Sequence, residues 1–160
     1  MKDYLKFIIS MAACLGAAVI GSLFTQTGPG SWYTTINQPP ITPPNIVFPI
    51  VWTTLFILMG LSLYLIWSQP HKYRKDPEKK VHTMMWFYAQ LIVNILWSMF
   101  FFGLHSPVAA LMCIFVLDGL VAITVIKFYG LHEKAAYLLM PYLIWICFAT
   151  ILNFWIAILN

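Results

Sequence analysis

Residues 32–52 read WYTTINQPPITPPNIVFPIVW, a stretch set between two apolar spans and free of Lys, Arg, Asp and Glu. Pro39, Pro40, Pro43, Pro44 and Pro49 each fix φ and lack an amide donor, which predicts a stiff, extended segment rather than a helical or random one. An uncharged segment of this kind suits a rigid lid over an apolar structure. Trp32 and Tyr33 combine an apolar ring with a polar tip, which fits either an anchor at a membrane surface or the face of a flat aromatic ligand.

On both sides of this stretch the chain turns strongly apolar. Of its 160 residues 61% are hydrophobic and 9% charged, and the mean hydropathy is +0.82, far from the composition of a soluble domain. Spans of about 20 apolar residues, the length needed to cross a bilayer, fall at about 7–24, 47–68, 81–104, 108–129 and 135–158. The expected fold is therefore all-α, a polytopic membrane protein in which residues 1–160 form a single bundle of five transmembrane helices with a Pro-rich lid loop at 26–46. The first span lacks a small-residue cleavage site and carries Gly21 and Ser22 well inside it, so it reads as a retained helix.

All nine basic residues fall on one side of the five-span arrangement. Lys2 and Lys6 precede the first span, Lys72, Arg74, Lys75, Lys79 and Lys80 lie between the second and third, and Lys127 and Lys134 flank the last turn. By the positive-inside rule the N-terminus is cytoplasmic, and the lid and the C-terminus are outside. The basic loop reads as a topogenic segment near anionic lipid rather than a nucleic-acid surface.

Cys14, Cys113 and Cys147 lie within apolar spans without metal-ligand spacing and read as small packing residues. His71, His82, His105 and His132 sit at span ends or in loops, so no pair is placed to hold a haem iron between helices. Phosphate-loop, H-E-x-x-H and Ser/His/Asp patterns are missing, which leaves hydrolytic and nucleotide-driven chemistry without support.

Polar groups in hydrocarbon are costly and normally face a bundle interior, so they map its cavity. Gln90, Asn94 and Trp97 share one face of the third span, and Pro141, Trp145, Ala149 and Asn153 form a stripe on the fifth. Asp118 is the one acid within any span, and Trp52 lies just inside the lid end of the second. At about 1.5 Å per residue, Trp52 lies about 8 Å deep, Trp97 and Asn153 about 10 Å, Asn94 and Asp118 about 15 Å, with Trp145 deeper. These residues form a band in the half nearest the lid. Gln90 and Asn94 serve either as interhelical hydrogen-bond glue or as ligand contacts. Asp118 either fixes helices or meets a ligand. Trp97 suits a belt or packing role, Pro141 a kink that makes room beside Trp145. Ala13, Ala17 and Gly21 make a small-residue stripe open to internal packing or to homodimerisation.

Several spaced motifs now accumulate: W-Y-x-x-I-x-x-P-x-x-T-P-P at Trp32 to Pro44, F-P-I-V-W at Phe48 to Trp52, N-I-L-W at Asn94 to Trp97, F-F-G at Phe101 to Gly103, and P-Y-L-I-W-x-x-F-A-T-x-L-N at Pro141 to Asn153. In this order, over essentially the whole chain, they resemble the tryptophan-rich sensory protein/translocator protein (TspO) family, formerly called peripheral benzodiazepine receptors. The resemblance implies a five-helix bundle, often homodimeric, with a pocket under the loop between its first two helices. It implies porphyrin or haem as ligand with no required cofactor, cholesterol in animal members, and synthetic isoquinoline carboxamide and benzodiazepine ligands. It further implies light-dependent breakdown of protoporphyrin IX through two tryptophans, which fall by motif position on Trp52 and Trp145. The other pocket positions it implies are Trp32, the lid prolines Pro43 and Pro44, Gln90, Asn94, Asp118 and Ala149. Phe48, Trp97 and Asn153 complete the candidate ligand-facing set. After Leu152 and Asn153 the chain continues Phe154, Trp155, Ile156, Ala157 without a basic residue, unlike the sterol motif of animal members. With the charge pattern, this points to a bacterial plasma-membrane member.

Three functional readings follow. In the first, a tetrapyrrole lies against Trp52 and Trp145 under the lid and is photo-oxidised. In the second, the chain carries or senses porphyrin, haem or lipid without chemistry. In the third, it is a lipid-embedded structural module whose aromatics form a belt.

Overall fold

The computed structural model describes residues 2–69 and 77–160. Lys72, Arg74, Lys75 and His71 lie outside the described residues. Five helices form: α1 (Asp3–Phe24), α2 (Val47–Trp67), α3 (Pro77–Ser98), α4 (Pro107–Leu131) and α5 (Glu133–Leu159). Each is long and apolar enough to cross a membrane, and no strand occurs among the described residues. At about 1.5 Å per residue, the 21 residues of α2 match a hydrocarbon core about 30 Å thick.

Hydropathy locates the lipid-crossing part of each helix and misses its charged ends. Thus α1 begins at Asp3 and α3 at Pro77, ahead of the apolar stretches. Hydrogen bonding continues through headgroup-level residues such as Asp3 and Lys6, which pair at 2.9 Å. The lid also departs from the expected extended form. Trp32–Thr34 make one 3-10 turn, closed by Thr34 N–H and Thr35 N–H donating to the carbonyls of Ser31 and Trp32. Prolines begin only at Pro39, so nothing withholds these donors.

The helices close into a ring in the order α1, α2, α5, α4, α3. Here "outer" denotes the lid end and "inner" the opposite end. At the inner end, His132 alone separates α4 from α5; its extended backbone (φ −155°) reverses the chain and gives the two helices a long shared seam. Ser62 Oγ–H donates to the Ala135 carbonyl at 2.7 Å, tying α2 to α5, and Phe87 stacks on Phe128 with centroids 5.7 Å apart. Lys80 Nζ–H donates to the Trp67 carbonyl, joining the start of α3 to the end of α2.

At the outer end α3 widens into a π-helical turn over Met99–Gly103, with Leu104 N–H donating to the Met99 carbonyl at 2.8 Å. This turn sets Phe101 and Phe102 edge to face with centroids 4.8 Å apart and leads to His105, whose φ of 52° is left-handed. The Ser106 side chain then accepts from Ala109 N–H at 3.4 Å, and Pro107 follows, an N-cap and first-turn pair that starts α4.

Of the small stripe on α1, Ala17 and Gly21 are buried inside the chain, and a Cβ at Gly21 would meet Ser98 Oγ at 3.6 Å. Gly21 thus packs internally against α3. Large apolar residues such as Met112, Phe115 and Ile126 remain exposed on α4, as lipid-facing positions do.

Candidate ligand-binding site

A cavity of about 200 Å³ lies in the outer half between α1, α2 and α3. Trp52, Phe48 and Phe56 of α2, Asn94, Trp97 and Phe102 of the third helical segment, and Ala18, Gly21, Ser22 and Thr25 of α1 form its walls. The sequence places these groups together through helical phase. Asn94 and Trp97 are three residues apart and share a face, while small residues on α1 leave the volume opposite them unfilled.

Trp52 is the hub of the aromatic wall. Its ring lies 6.0 Å from Trp97 at 34°, 5.8 Å from Phe56 at 33° and 6.2 Å from Tyr142 at 63°. Asn94 Nδ2–H donates to the Tyr142 hydroxyl at 3.0 Å, which fixes the amide. Trp97 Nε1–H donates to Asn153 Oδ1 at 3.1 Å, and Asn153 Nδ2–H donates to the Pro107 carbonyl at 2.8 Å. This relay locks Trp97 and ties α3, α5 and the start of α4 together. Gln90, one turn further in, is 1% exposed, and neither of its side-chain polar atoms finds a partner among the described residues.

A second space of only about 20 Å³ lies directly under the lid, bounded by Tyr33, Phe48, Trp97, Phe101, Phe102, Ala149 and Asn153 among others. Phe48, Trp97 and Phe102 line both spaces and form the partition between them. The lid residue that enters the bundle is Tyr33, 3% exposed and packed on Phe48, Phe101 and Phe102. Burial pushes its phenol up to about 12. Trp32 instead stacks on His105 at 4.7 Å and 15° and meets Phe101 edge-on at 5.8 Å.

The lid is fastened at further points. Asn37 N–H donates to Asn160 Oδ1 at 2.9 Å, and Asn160 Nδ2–H returns a bond to the Asn37 carbonyl at 3.0 Å. Asn45 Nδ2–H donates to the Thr27 carbonyl at 2.7 Å, and Gln38 Nε2–H to the Tyr33 carbonyl.

Of the residues singled out from sequence, Trp52, Phe48, Asn94 and Trp97 meet at the larger cavity, and Ala149 and Asn153 border the smaller one. Trp32, Pro43, Pro44, Gln90, Asp118 and Trp145 line neither. Trp145 meets Phe48 at 6.1 Å and Phe148 at 5.5 Å, and its buried Nε1–H has no partner among the described residues. Asp118 lies in the α4–α5 seam, where Thr150 Oγ–H donates to Oδ2 at 2.8 Å and, among the described residues, Oδ1 has no partner. Tyr142, Phe101, Phe102, Phe56 and the α1 wall were not singled out as site residues. Tyr142 and the Phe pair sit inside the quoted motifs, whereas the α1 wall shows only as missing side-chain volume.

Fold and site together define a polytopic helical membrane protein with an aromatic, amide-bearing cavity beneath a fastened Pro-rich lid. Comparison with known proteins agrees: residues 10–159 match the TspO/MBR family. The chain is 42% identical over 158 residues to the tryptophan-rich protein TspO of Archaeoglobus fulgidus, covering 99% of each chain. It is 39% identical to the protein of the same name from Chlorobaculum tepidum over 99% of this chain and 98% of that one. It is 34% identical to the human translocator protein over 91% of this chain and 83% of that one. The chain belongs to the TspO/MBR family and is an integral membrane protein.

Proposed function

We propose that the chain binds a flat amphiphilic tetrapyrrole, protoporphyrin IX or haem, in the outer half of the bundle. The observation that carries this reading is the Trp52–Trp97 indole pair, 6.0 Å apart, on a cavity that also presents the Asn94 amide. Indole faces supply stacking and apolar burial, and the amide orients pyrrole nitrogens or acid groups. The cavity of about 200 Å³ is smaller than the roughly 300–1,000 Å³ of small-molecule sites. Binding therefore displaces the Phe48 and Phe102 side chains of the partition, joins the two spaces past the fixed Trp97 and brings the ligand to Ala149, Asn153 and Trp145. Unpaired Gln90 and the free Trp145 N–H offer polar partners further along the same path.

Contact between macrocycle and indole also supports a light-dependent step. The excited porphyrin takes one electron from Trp52 or Trp145 and passes it to dissolved dioxygen; the superoxide adds to the macrocycle and the adduct returns one electron to the indole radical cation, so the net change is one dioxygen added to the porphyrin. The second reading is dark carriage or sensing, which needs only the aromatic and amide lining of the cavity. Titration of the purified chain with protoporphyrin IX, followed by illumination in air, separates the two. Saturable tryptophan quenching with protein-dependent loss of the porphyrin band, abolished by Trp52→Phe with Trp145→Phe, supports photochemistry. Saturable quenching without loss supports carriage or sensing, and no saturable quenching removes the tetrapyrrole reading.

The proposed location is a bacterial plasma membrane with the N-terminus cytoplasmic, since Lys2, Lys6, Lys79, Lys80, Lys127 and Lys134 all sit at the inner end. A homodimer belongs to the same proposal. Because Ala17 and Gly21 are used internally, its interface lies elsewhere than the α1 stripe.

A further inference from the structure

We infer that the ligand enters sideways from the outer leaflet of the bilayer, through a cleft between the outer halves of α1 and α2, while the lid stays shut. The inference rests on the tetrapyrrole reading above and concerns its route. Two sets of contacts carry it. First, α1 leans from one neighbour to the other along its length. Near its inner end it presses on α2, where a Cβ at Gly60 would come within 2.6 Å of Met11 Sδ and 3.3 Å of Met11 Cα. Near its outer end it lies on α3, where Cβ atoms at Gly21 and Gly103 would meet Ser98 Oγ at 3.6 Å and the Phe24 ring at 3.1 Å. Helix α1 thus diverges from α2 toward the lid, and the cavity occupies the resulting wedge.

The rim of that wedge is open. Ser22 on α1 and Pro49 and Thr53 on α2 all line the cavity and are all exposed. Thr53 lies about 9 Å below the start of α2 at about 1.5 Å per residue, within the hydrocarbon of the outer leaflet. On the α1 side the lining runs from Ala18 and Gly21 below to the hydroxyl-bearing Ser22 and Thr25 above, which matches a flat macrocycle whose acid groups stay at the interface.

Second, the lid is secured on the far side of the bundle. It is held by Trp32 on His105, Tyr33 on the Phe101 and Phe102 pair, and the reciprocal Asn37–Asn160 bonds at the end of α5. Lid opening breaks all three, whereas entry below the Asn45–Thr27 bond, which spans the top of the cleft, leaves every one of them in place.

The test mixes protein in phosphatidylcholine vesicles with vesicles loaded with protoporphyrin IX and follows tryptophan quenching in time. Ser22→Phe with Thr53→Phe narrows the cleft; a disulfide between Asn37→Cys and Asn160→Cys, confirmed by mass, holds the lid. The cleft variant is expected to slow association and dissociation together, by about tenfold or more, which lost affinity alone does not do because it quickens dissociation, while the held lid leaves both rates as in the unmodified chain. Should the double variant fold poorly, Thr53→Leu on the exposed face of α2 carries the same comparison. Slowed association with the lid held, or unchanged rates in the cleft variants, overturns the lateral route while final quenching preserves the binding reading. Absence of saturable quenching in the unmodified chain overturns the binding reading, and the route with it.

Discussion

At Gly60 the backbone of α2 lies so near α1 that a single added carbon would stand 2.6 Å from the Met11 sulfur. Two turns along the same helix, at Trp52, the space opposite is a cavity of about 200 Å³. The inner half is joined by a close glycine crossing, the Ser62–Ala135 bond and the Phe87–Phe128 stack. The outer half instead uses aromatic rings fixed by amides and leaves volume unfilled. One set of five helices thus separates stability from binding along its length: α1 packs closely on α2 at Gly60, and the cavity lies between them nearer the lid.

Breaking the inner half should have the largest effect. Gly60→Val drives side-chain atoms into Met11 Cα, where backbone cannot yield as a side chain can, and overpacking of this kind destabilises by about 1–3 kcal/mol. Thermal unfolding in detergent, read by tryptophan fluorescence, should show a clearly lowered midpoint, with binding lost only as the fold is lost. Next comes Asn153→Leu, which strands the Trp97 N–H and the Pro107 carbonyl and should reduce stability by about 1–2 kcal/mol. Its distinguishing mark is a shift in tryptophan emission as Trp97 is released.

Smaller effects sharpen the contrast. Tyr142→Phe removes the acceptor that holds Asn94 and should lower stability by about 0.6 kcal/mol, while weakening porphyrin binding more than Ser62→Ala does. Trp32→Ala removes a stack worth about 0.5–1.5 kcal/mol, so amide exchange should quicken across residues 31–38 with the unfolding midpoint nearly unmoved. The smallest is alkaline. With the lid closed the Tyr33 phenol is pushed up to about 12, against about 10 when exposed. Closure is therefore fully favoured below pH about 10 and weakens as pH rises toward 12, because only the open form releases its proton there. Tyr33→Phe should abolish this alkaline rise in lid exchange.

The five spans were legible because uninterrupted apolar runs have few other uses. The helix starts at Asp3 and Pro77 were not, since hydropathy reports the solvent around a helix rather than its hydrogen bonds. Asn94 and Trp97 were legible by spacing, and Trp52 by its place in the lid motif. The remaining wall was hidden for a physical reason: Ala18, Gly21 and Ser22 contribute by lacking bulk, and an absence of volume has no pattern until another helix stands opposite. Asp118 drew notice as the lone acid in a span, yet its partner Thr150 lies five residues from Trp145, roughly 140° around α5, so acid and indole face different neighbours. The π-helical turn that pairs Phe101 with Phe102 left no mark beyond the F-F-G letters.

The central claim is that the outer cavity between α1, α2 and α3 is where the ligand sits. Ala18→Phe fills that cavity from the α1 wall and removes no hydrogen bond of the lid, the amide relay or the inner crossing. Protoporphyrin IX binding to this variant and to Ser62→Ala, measured side by side by tryptophan quenching, tests the claim most directly. The account predicts that Ala18→Phe weakens affinity by about tenfold or more while Ser62→Ala leaves it unchanged. Undiminished affinity in a folded Ala18→Phe protein would contradict it.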